Sequence, residues 1–393
     1  MREQIITSLL DTDLYKFTMQ QAMLHQYPNT DVVAKFKCRS SIDLTALLPE
    51  LREQIEALAG LTFKQDEIRY LKQLPYLKPD FVDFLATFKL QAHYINVGIE
   101  DNQLAVTISG PWVQVTHFEI FLLAIISELY SRRYYSTVSI DEGRQRLYQK
   151  IKQIKQAQPD SGRLGFKLVD FGTRRRFSRN WHYEVVDVLK HELPDFFVGT
   201  SNVYLAREMD IAPIGTMAHE WIQAHQGLDV RLVDSQKAAL EAWVKEYRGE
   251  LGIALTDTIS MQAFLRDFDR YLAKVFDGLR HDSGDPILWG EGALAHYKAL
   301  DIDPKSKQLV FSDGLNITQA LNIYQHFKGQ TQTSFGVGTH LSHDLGVPAI
   351  NMVLKLVECN GQPVAKLSDS PGKVMCHDET FVTYLKQVFA VAA

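Results

Sequence analysis

From residue 166 onward the chain repeats one device, a short β-prone run followed in several places by an amphipathic helix. That alternation limits the fold more than any other feature. The runs fall at 166–172, 196–200, 212–216, 253–256, 274–276, 309–312, 334–337 and 350–357. Helical periodicity is clearest after them at 181–189, 203–209 and 318–327. Strands that alternate with helices pair in parallel, because a tight hairpin connects only antiparallel neighbours. Seven or eight such units in series predict a βα barrel rather than an open sheet, with a longer helical excursion between 229 and 247.

The first part of the chain reads differently. Residues 32–39 alternate, with Val32, Ala34, Phe36 and Cys38 on one face of a half-buried strand. Helices are predicted over 49–58, 66–74 and 80–88, then a hairpin over 94–108 with Asp101 and Asn102 turning the chain. A long buried helix over 113–135 and a polar one over 141–156 precede a Pro/Gly/Ser loop at 158–165. The division expected is an N-terminal α+β domain (1–112), an α/β barrel domain (113–358) and a C-terminal segment (359–393) packing back on the N-terminal domain.

Composition removes some functional classes. Forty-two basic against forty-seven acidic residues give a net charge of -5, which argues against sequence-independent nucleic-acid binding. Cys38, Cys359 and Cys376 are too sparse and too widely spaced for a disulfide framework or a zinc site, which favours a reducing, cytoplasmic compartment. Residues 1–10 lack the apolar core of a secretion signal, and the most apolar run, 120–126, is too short to span a membrane.

In a βα barrel the reactive groups sit on the loops that follow the strands. Asp170, Ser201, Thr216, Asp257, Asp282 and Asp313 each lie at or just past the end of a β-prone run. Such residues also cap helices and form turns, so each alone suits a structural role as well. Denser clusters narrow the choice. Asp170-Phe171-Gly172-Thr173 is followed by Arg174, Arg175 and Arg176, whose planar forks suit carboxylates and phosphates. Gly336-Val337-Gly338-Thr339 lets backbone N–H groups close on an anion in a late barrel loop. Arg280 to Pro286 joins a cation to the carboxylates of Asp282 and Asp285, hard donors suited to a Mg²⁺ shared with a diphosphate. His219 lies in Gly215-Thr216-Met217-Ala218-His219-Glu220-Trp221. His225 is too far along the chain for HExxH spacing, and no GxxxxGK[ST] phosphate loop occurs.

Taken in order, DTDLYKFT (11–18), DFGTRRRFS (170–178), GTSN (199–202), IGTMAHEW (214–221), RHDSGDP (280–286), FSDGLN (311–316), FGVGTH (335–340) and KLSDSPGK (366–373) resemble the nicotinate phosphoribosyltransferase family over nearly the whole chain. The resemblance implies an irregular α/β barrel of the type II phosphoribosyltransferase kind with an N-terminal α+β domain. It also implies a head-to-tail homodimer with active sites at the subunit interface. The implied reaction makes nicotinate mononucleotide and diphosphate from nicotinate and phosphoribosyl diphosphate with Mg²⁺, coupled to ATP hydrolysis, in NAD biosynthesis and salvage.

By motif, the resemblance makes His219 the residue phosphorylated by ATP. Tyr15 would stack on the pyridine ring, reaching into the neighbouring subunit's site, with Phe171 opposite and Arg174 beside the base. Thr216 and Arg280 would bind nicotinate, and Gly338 and Thr339 the 5′-phosphate. Asp257, Asp282 and Asp313 would order ribose, diphosphate and Mg²⁺, with the direct metal ligands left unassigned. Ser201 stands where nicotinamide-using relatives carry Asp, which favours the anionic nicotinate. Three rival readings remain: a nicotinamide phosphoribosyltransferase, a Mg²⁺-dependent lyase or hydrolase using Asp282 and Asp285, and a binding protein without turnover.

Overall fold

The computed structural model describes residues 3–370, 374, 376 and 378–391, so Pro371, Gly372 and Lys373 of the 366–373 motif lie outside the described residues. The N-terminal domain is built on a five-stranded antiparallel sheet. Its order is Gln362–Pro363, Met352–Cys359, Asp31–Cys38, Gln103–Pro111 and Ile95–Glu100. The hairpin between the last two turns at Asp101 (φ 49°) and Asn102 (φ 59°). A two-residue hairpin turn of type I′ needs positive φ at both central positions, and Asp and Asn tolerate it best after glycine.

The run at 350–357 is therefore not a barrel strand. Met352–Cys359 pairs antiparallel with Asp31–Cys38, from Val32 opposite Cys359 to Cys38 opposite Met352. Its apolar side chains are buried on both faces, and the helices Phe118–Tyr134 and His219–Ala224 pack against it. That burial is also what made it read like a strand of a parallel sheet. The chain thus returns from the barrel to complete the N-terminal domain, and 113–358 is not one uninterrupted barrel.

The barrel sheet has six parallel strands in the order Phe197–Thr200, Leu168–Asp170, Gln332–Val337, Gln308–Phe311, Gly278–His281 and Ile253–Leu255. Residues 212–216 join the two edges without forming a strand. Ile214 N–H donates to Thr200 O at 2.8 Å, and Thr216 Oγ1 donates to Ile253 O at 2.8 Å. Pro213 has no N–H to give a ladder, which leaves this closure irregular. The run at 274–276 is likewise corrected: it ends the helix Arg270–Val275, and the strand begins at Gly278. A Cβ at Gly278 would lie 1.9 Å from Gln308 O, so only glycine lets these neighbours pair here.

The expected helix over 113–135 is two helices, Trp112–Val115 and Phe118–Tyr134, parted at Thr116 and His117. The stretch Trp112–Tyr134 is long and apolar enough to cross a membrane, yet 94% of its most apolar window is buried within the protein. It packs against the helix Leu48–Ala59, the arginine turn Thr173–Arg175 and the strand Met352–Cys359, which makes it the core helix between the two domains.

The expected packing of 359–393 is also corrected. The chain joins the antiparallel sheet through Pro363, but Leu385 and Phe389 pack with Ile259, Ala263, Ala365 and Leu367 in a separate cluster on the barrel. Arg266 fastens that end by donating to Phe389 O at 2.6 Å.

Candidate active site at the barrel mouth

The 11–18 motif works as a clamp between the domains. Both oxygens of Asp11 accept from Arg176, at 2.6 and 2.8 Å, and one also accepts from Asn202 Nδ2 at 2.8 Å. Asp13 accepts from Ser201 Oγ at 2.7 Å, and Leu14 N–H donates to Ser201 O at 2.8 Å. These bonds seat the start of the helix Leu14–Gln26 on the barrel loops and bring Tyr15 to the strand ends. Asp170 is spent locally: it accepts from Thr200 Oγ1 at 2.6 Å and from Gly172 N–H at 3.0 Å, and it pairs with His182 Nε2 at 2.8 Å.

Two adjoining cavities occupy the mouth. The narrower, about 690 Å³, is lined by Tyr15, Arg174, Arg280, His219 and Glu119, with Val32, Ala34, Ile108, Leu354 and Leu356 as its apolar wall. The wider, about 1220 Å³, is lined by Phe171, Asp313, Gly338 and Thr339 together with Arg39, Arg175 and Lys366. Arg174, Arg280, Asp282 and Lys355 line both, so one space leads into the other. A half-apolar slot opening on a cation-rich cleft suits a small flat anion beside a phosphorylated one.

His219 opens the short helix His219–Ala224, and its Nε2 lies 2.8 Å from Asp257 Oδ1 and 3.6 Å from Asp282 Oδ2. The other oxygen of Asp257 accepts from Ser283 Oγ at 2.6 Å and Lys366 Nζ at 2.7 Å. Burial opposes ionisation of Asp257, but His219 and Lys366 outweigh it and hold the carboxyl well below its usual range. Burial, helped by Lys366, pushes the His219 pKa down to about 4 against the pull of Asp257, so the ring is neutral at pH 7. Asp282 accepts from Ser312 Oγ at 3.0 Å, and its carboxyl is also lowered: burial opposes this, and the Arg280 and Lys366 cations favour the ionised form.

Ligand atoms of His219, Asp257 and Asp282 lie within 4.8 Å of one another. Asp257 already has donors on both oxygens, whereas Asp282 and Asp313 both line the wide cleft. A Mg²⁺ bound with a diphosphate in this cleft would meet the hard carboxylate donors of Asp282 and Asp313.

The sequence model of the nicotinate phosphoribosyltransferase N-terminal domain matches residues 10–127, and that of the nicotinate phosphoribosyltransferase family matches 166–393. The chain belongs to the nicotinate phosphoribosyltransferase family. It is 55% identical over 390 residues to the nicotinate phosphoribosyltransferase of Ectopseudomonas mendocina, covering 99% of this chain and 98% of that one. It is 57% identical over 394 residues to that of Chromobacterium violaceum, with the same coverage of 99% and 98%. The crystal structure of nicotinate phosphoribosyltransferase from Vibrio cholerae superposes with a TM-score of 0.95 at 41% identity, over 100% of this chain and 95% of that chain. The one from Porphyromonas gingivalis gives 0.92 at 34% identity, over 98% and 100%.

Within this nicotinate phosphoribosyltransferase-family fold, the expected site residues divide by location. Tyr15, Arg174, His219, Arg280 and Asp282 meet at the slot; Phe171, Asp313, Gly338 and Thr339 meet at the cleft. Asp257 stands behind His219 as its partner. Tyr15, expected to reach a neighbouring subunit, lies in the slot of its own chain. Ser201 and Thr216 line neither cavity: the Ser201 hydroxyl is engaged by Asp13, and the Thr216 hydroxyl by Ile253 O. Phe171 reaches the cleft because Gly336 makes room; a Cβ there would lie 2.2 Å from its ring.

Sequence reasoning missed Lys355 and Lys366. Lys355 projects from the middle of an apolar strand, and burial lowers its pKa to about 8 despite Glu119. A lysine interrupting the apolar run 352–357 was the available signal, since a cation inside a sheet needs an anion or water to face. Lys366 lay within a quoted motif, but nothing in its spacing pointed to Asp257.

Proposed function

We propose that the protein transfers a phosphoribosyl group from phosphoribosyl diphosphate to nicotinate, releasing diphosphate and forming nicotinate mononucleotide for NAD salvage. The observation that carries this reading is the slot walled by Tyr15, Arg174 and Arg280 that opens into the cation-rich cleft at the barrel mouth. The pyridine nitrogen attacks C1 of the ribose while the bond from C1 to the diphosphate oxygen breaks. The nitrogen already carries a lone pair at neutral pH, so no general base is needed. Tyr15 aligns the ring by packing on it, and Arg174 and Arg280 neutralise the carboxylate, favouring nicotinate over the uncharged amide. Phe171, Gly338 and Thr339 hold the phosphoribosyl end. Asp282 and Asp313 would hold a Mg²⁺, which when bound would supply positive charge against the diphosphate.

ATP hydrolysis is coupled through His219 in the same proposal. Asp257, ionised and 2.8 Å away, keeps the ring proton on Nε2, so Nδ1 carries the lone pair. That nitrogen takes the γ-phosphoryl group of ATP, the bond to the bridging oxygen breaks, and ADP leaves. Asp257 stabilises the positive charge that forms on the ring. Water later hydrolyses the N–P bond to free phosphate. The working unit proposed is a cytoplasmic homodimer.

The test supplies labelled nicotinate or nicotinamide with phosphoribosyl diphosphate and Mg²⁺, each with and without ATP. Nicotinate mononucleotide that increases with ATP is the expected result. Product from nicotinamide alone would assign the base wrongly here, and no product from either would overturn the reaction. The variant His219→Ala is expected to lose the ATP stimulation and keep a residual transfer; full stimulation in that variant would remove the phosphohistidine.

A further inference from the structure

Lys16 has no solvent-exposed surface, yet it carries a charge deep between the domains. Its Nζ lies 2.8 Å from Glu119 and 3.5 Å from Thr116 Oγ1, and it forms a short ion pair with Glu220. Burial works against the ammonium, but the two carboxylates overcome this and raise its pKa. The other oxygen of Glu220 accepts from Trp112 Nε1 at 2.7 Å, and the other oxygen of Glu119 lies 3.7 Å from Arg174 Nη1. A chain of charges therefore runs Glu220, Lys16, Glu119, Arg174, sealed from solvent at Lys16 and partly exposed at Arg174.

The placement of its ends matters. Glu220, at one end, is next in sequence to His219, and Arg174, at the other, lines the slot with Tyr15, as do Lys16 and Glu119 between them. Two further bonds hold the helix Leu14–Gln26 to the stretch leading into His219: Thr18 Oγ1 donates to Thr216 O at 2.6 Å, and Ala218 N–H reaches Met19 Sδ at 3.4 Å. Packing alone does not call for a charge here, because an apolar side chain of similar volume in place of a buried ion pair is often as stable or more so. A buried charge network does have one property that an apolar contact lacks: it responds to a new charge nearby, strongly, because the surroundings screen little.

We propose that Lys16 is a positioning residue that transmits the phosphorylation state of His219 to the pyridine slot, through Glu220 on one side and Glu119 on the other. The inference rests on the phosphohistidine reading above. A phosphoryl group on His219 adds about two negative charges beside Glu220. It competes with both glutamates for the Lys16 ammonium. As Lys16 turns toward the new anion, Glu119 is released to draw on Arg174, and the helix start that carries Tyr15 shifts with its neighbour. Both the stacking wall and the carboxylate-binding arginine thus register the phosphoryl group without touching it.

The experiment uses the full chain and compares wild type with Lys16→Met, Lys16→Arg and Glu220→Gln. Two quantities are read: the ratio of nicotinate KM without ATP to that with ATP, and the acid-labile phosphoryl label taken from γ-labelled ATP. In wild type the ratio should be about fivefold or more, the lower end of ordinary coupling between sites. Lys16→Met should bring the ratio close to one while label still accumulates, and Lys16→Arg should recover much of it. Glu220→Gln keeps the volume and the bond from Trp112 and should also lower the ratio, which preserves the test if Lys16→Met does not fold. A full wild-type ratio in Lys16→Met, or in Glu220→Gln when the first variant is unfolded, overturns the proposal. So does label lost in proportion to the ratio, since Lys16 would then act on phosphorylation itself. Wild type that neither takes up label nor changes its KM would defeat the phosphohistidine reading before any substitution is considered.

Discussion

His117 and His225 are sealed from solvent, and burial pushes their pKa values down to about 3 and about 4. Unfolded, each takes up a proton near pH 6.5. Their neutral forms therefore contribute stability that is fully present above about pH 6.5 and lost as the pH falls toward the folded values. The loss is about 1.4 kcal/mol per pH unit for each ring. Urea unfolding at a series of pH values should show this slope, and His117→Gln should flatten it; an unchanged slope would count against a neutral buried His117. Asp11 and Arg176 make the opposite kind of buried site, ionised and mutually dependent. Arg176→Met strands Asp11 with only Arg179 and Asn202, and should cost about 3–5 kcal/mol in chemical denaturation. Arg280 lines the slot itself, so Arg280→Ala should raise the nicotinate KM far more than the ATP requirement, as steady-state kinetics will show.

At the scale of elements, the strand ends serve the site through close approaches rather than through bulk. The strand Gln332–Val337 carries Gly336, over which the Phe171 ring lies. Gly336→Ala must push that ring away, since the added carbon would sit 2.2 Å from it. The expected outcome is a lower kcat/KM for phosphoribosyl diphosphate with unchanged circular dichroism; unaltered kinetics would show that Phe171 does not shape that cleft. The segment 212–216 illustrates the same economy, because it closes the barrel with few bonds and leaves the 216–219 stretch to reach the helix Leu14–Gln26.

For the whole molecule, the domains are interlocked rather than strung in series. The strand Met352–Cys359 leaves the barrel to complete the N-terminal sheet, and the chain then comes back across the site. There Leu367 N–H donates to Thr258 O at 2.8 Å, Asp369 N–H donates to Ser283 Oγ at 3.1 Å, and Lys366 meets Asp257. The C-terminal helix Glu379–Val388 anchors this return through Leu385 and Phe389. Leu385→Ala should therefore weaken the cluster by about 2–5 kcal/mol and also lower labelling of His219 by ATP, because Lys366 loses its hold on Asp257. Hydrogen exchange over the helix, read beside phosphoryl uptake, checks both halves; faster exchange with undiminished uptake would disconnect the anchor from the site.

Period and turn chemistry are local, and they were legible from residues alone. The hairpin turn at Asp101 and Asn102 and most of the barrel strands and helices follow from patterns a few residues long. Arg174, His219, Arg280 and Asp282, by contrast, were grouped only through the family resemblance, which put Tyr15 in a neighbouring subunit's site. Partner choice is not local. A doubly buried strand looks the same in a parallel or an antiparallel sheet, so 352–359 could be placed only once its neighbour Asp31–Cys38 was known. The direction of a side chain is equally hidden: Ser201 and Thr216 fall at strand ends like the other candidates, but their hydroxyls bond to Asp13 and Ile253 O instead of facing the slot. Lys16, Lys355 and Lys366 acquire their significance from partners far away in the chain. Charge at close range depends on distance in space, and sequence spacing records only distance along the backbone.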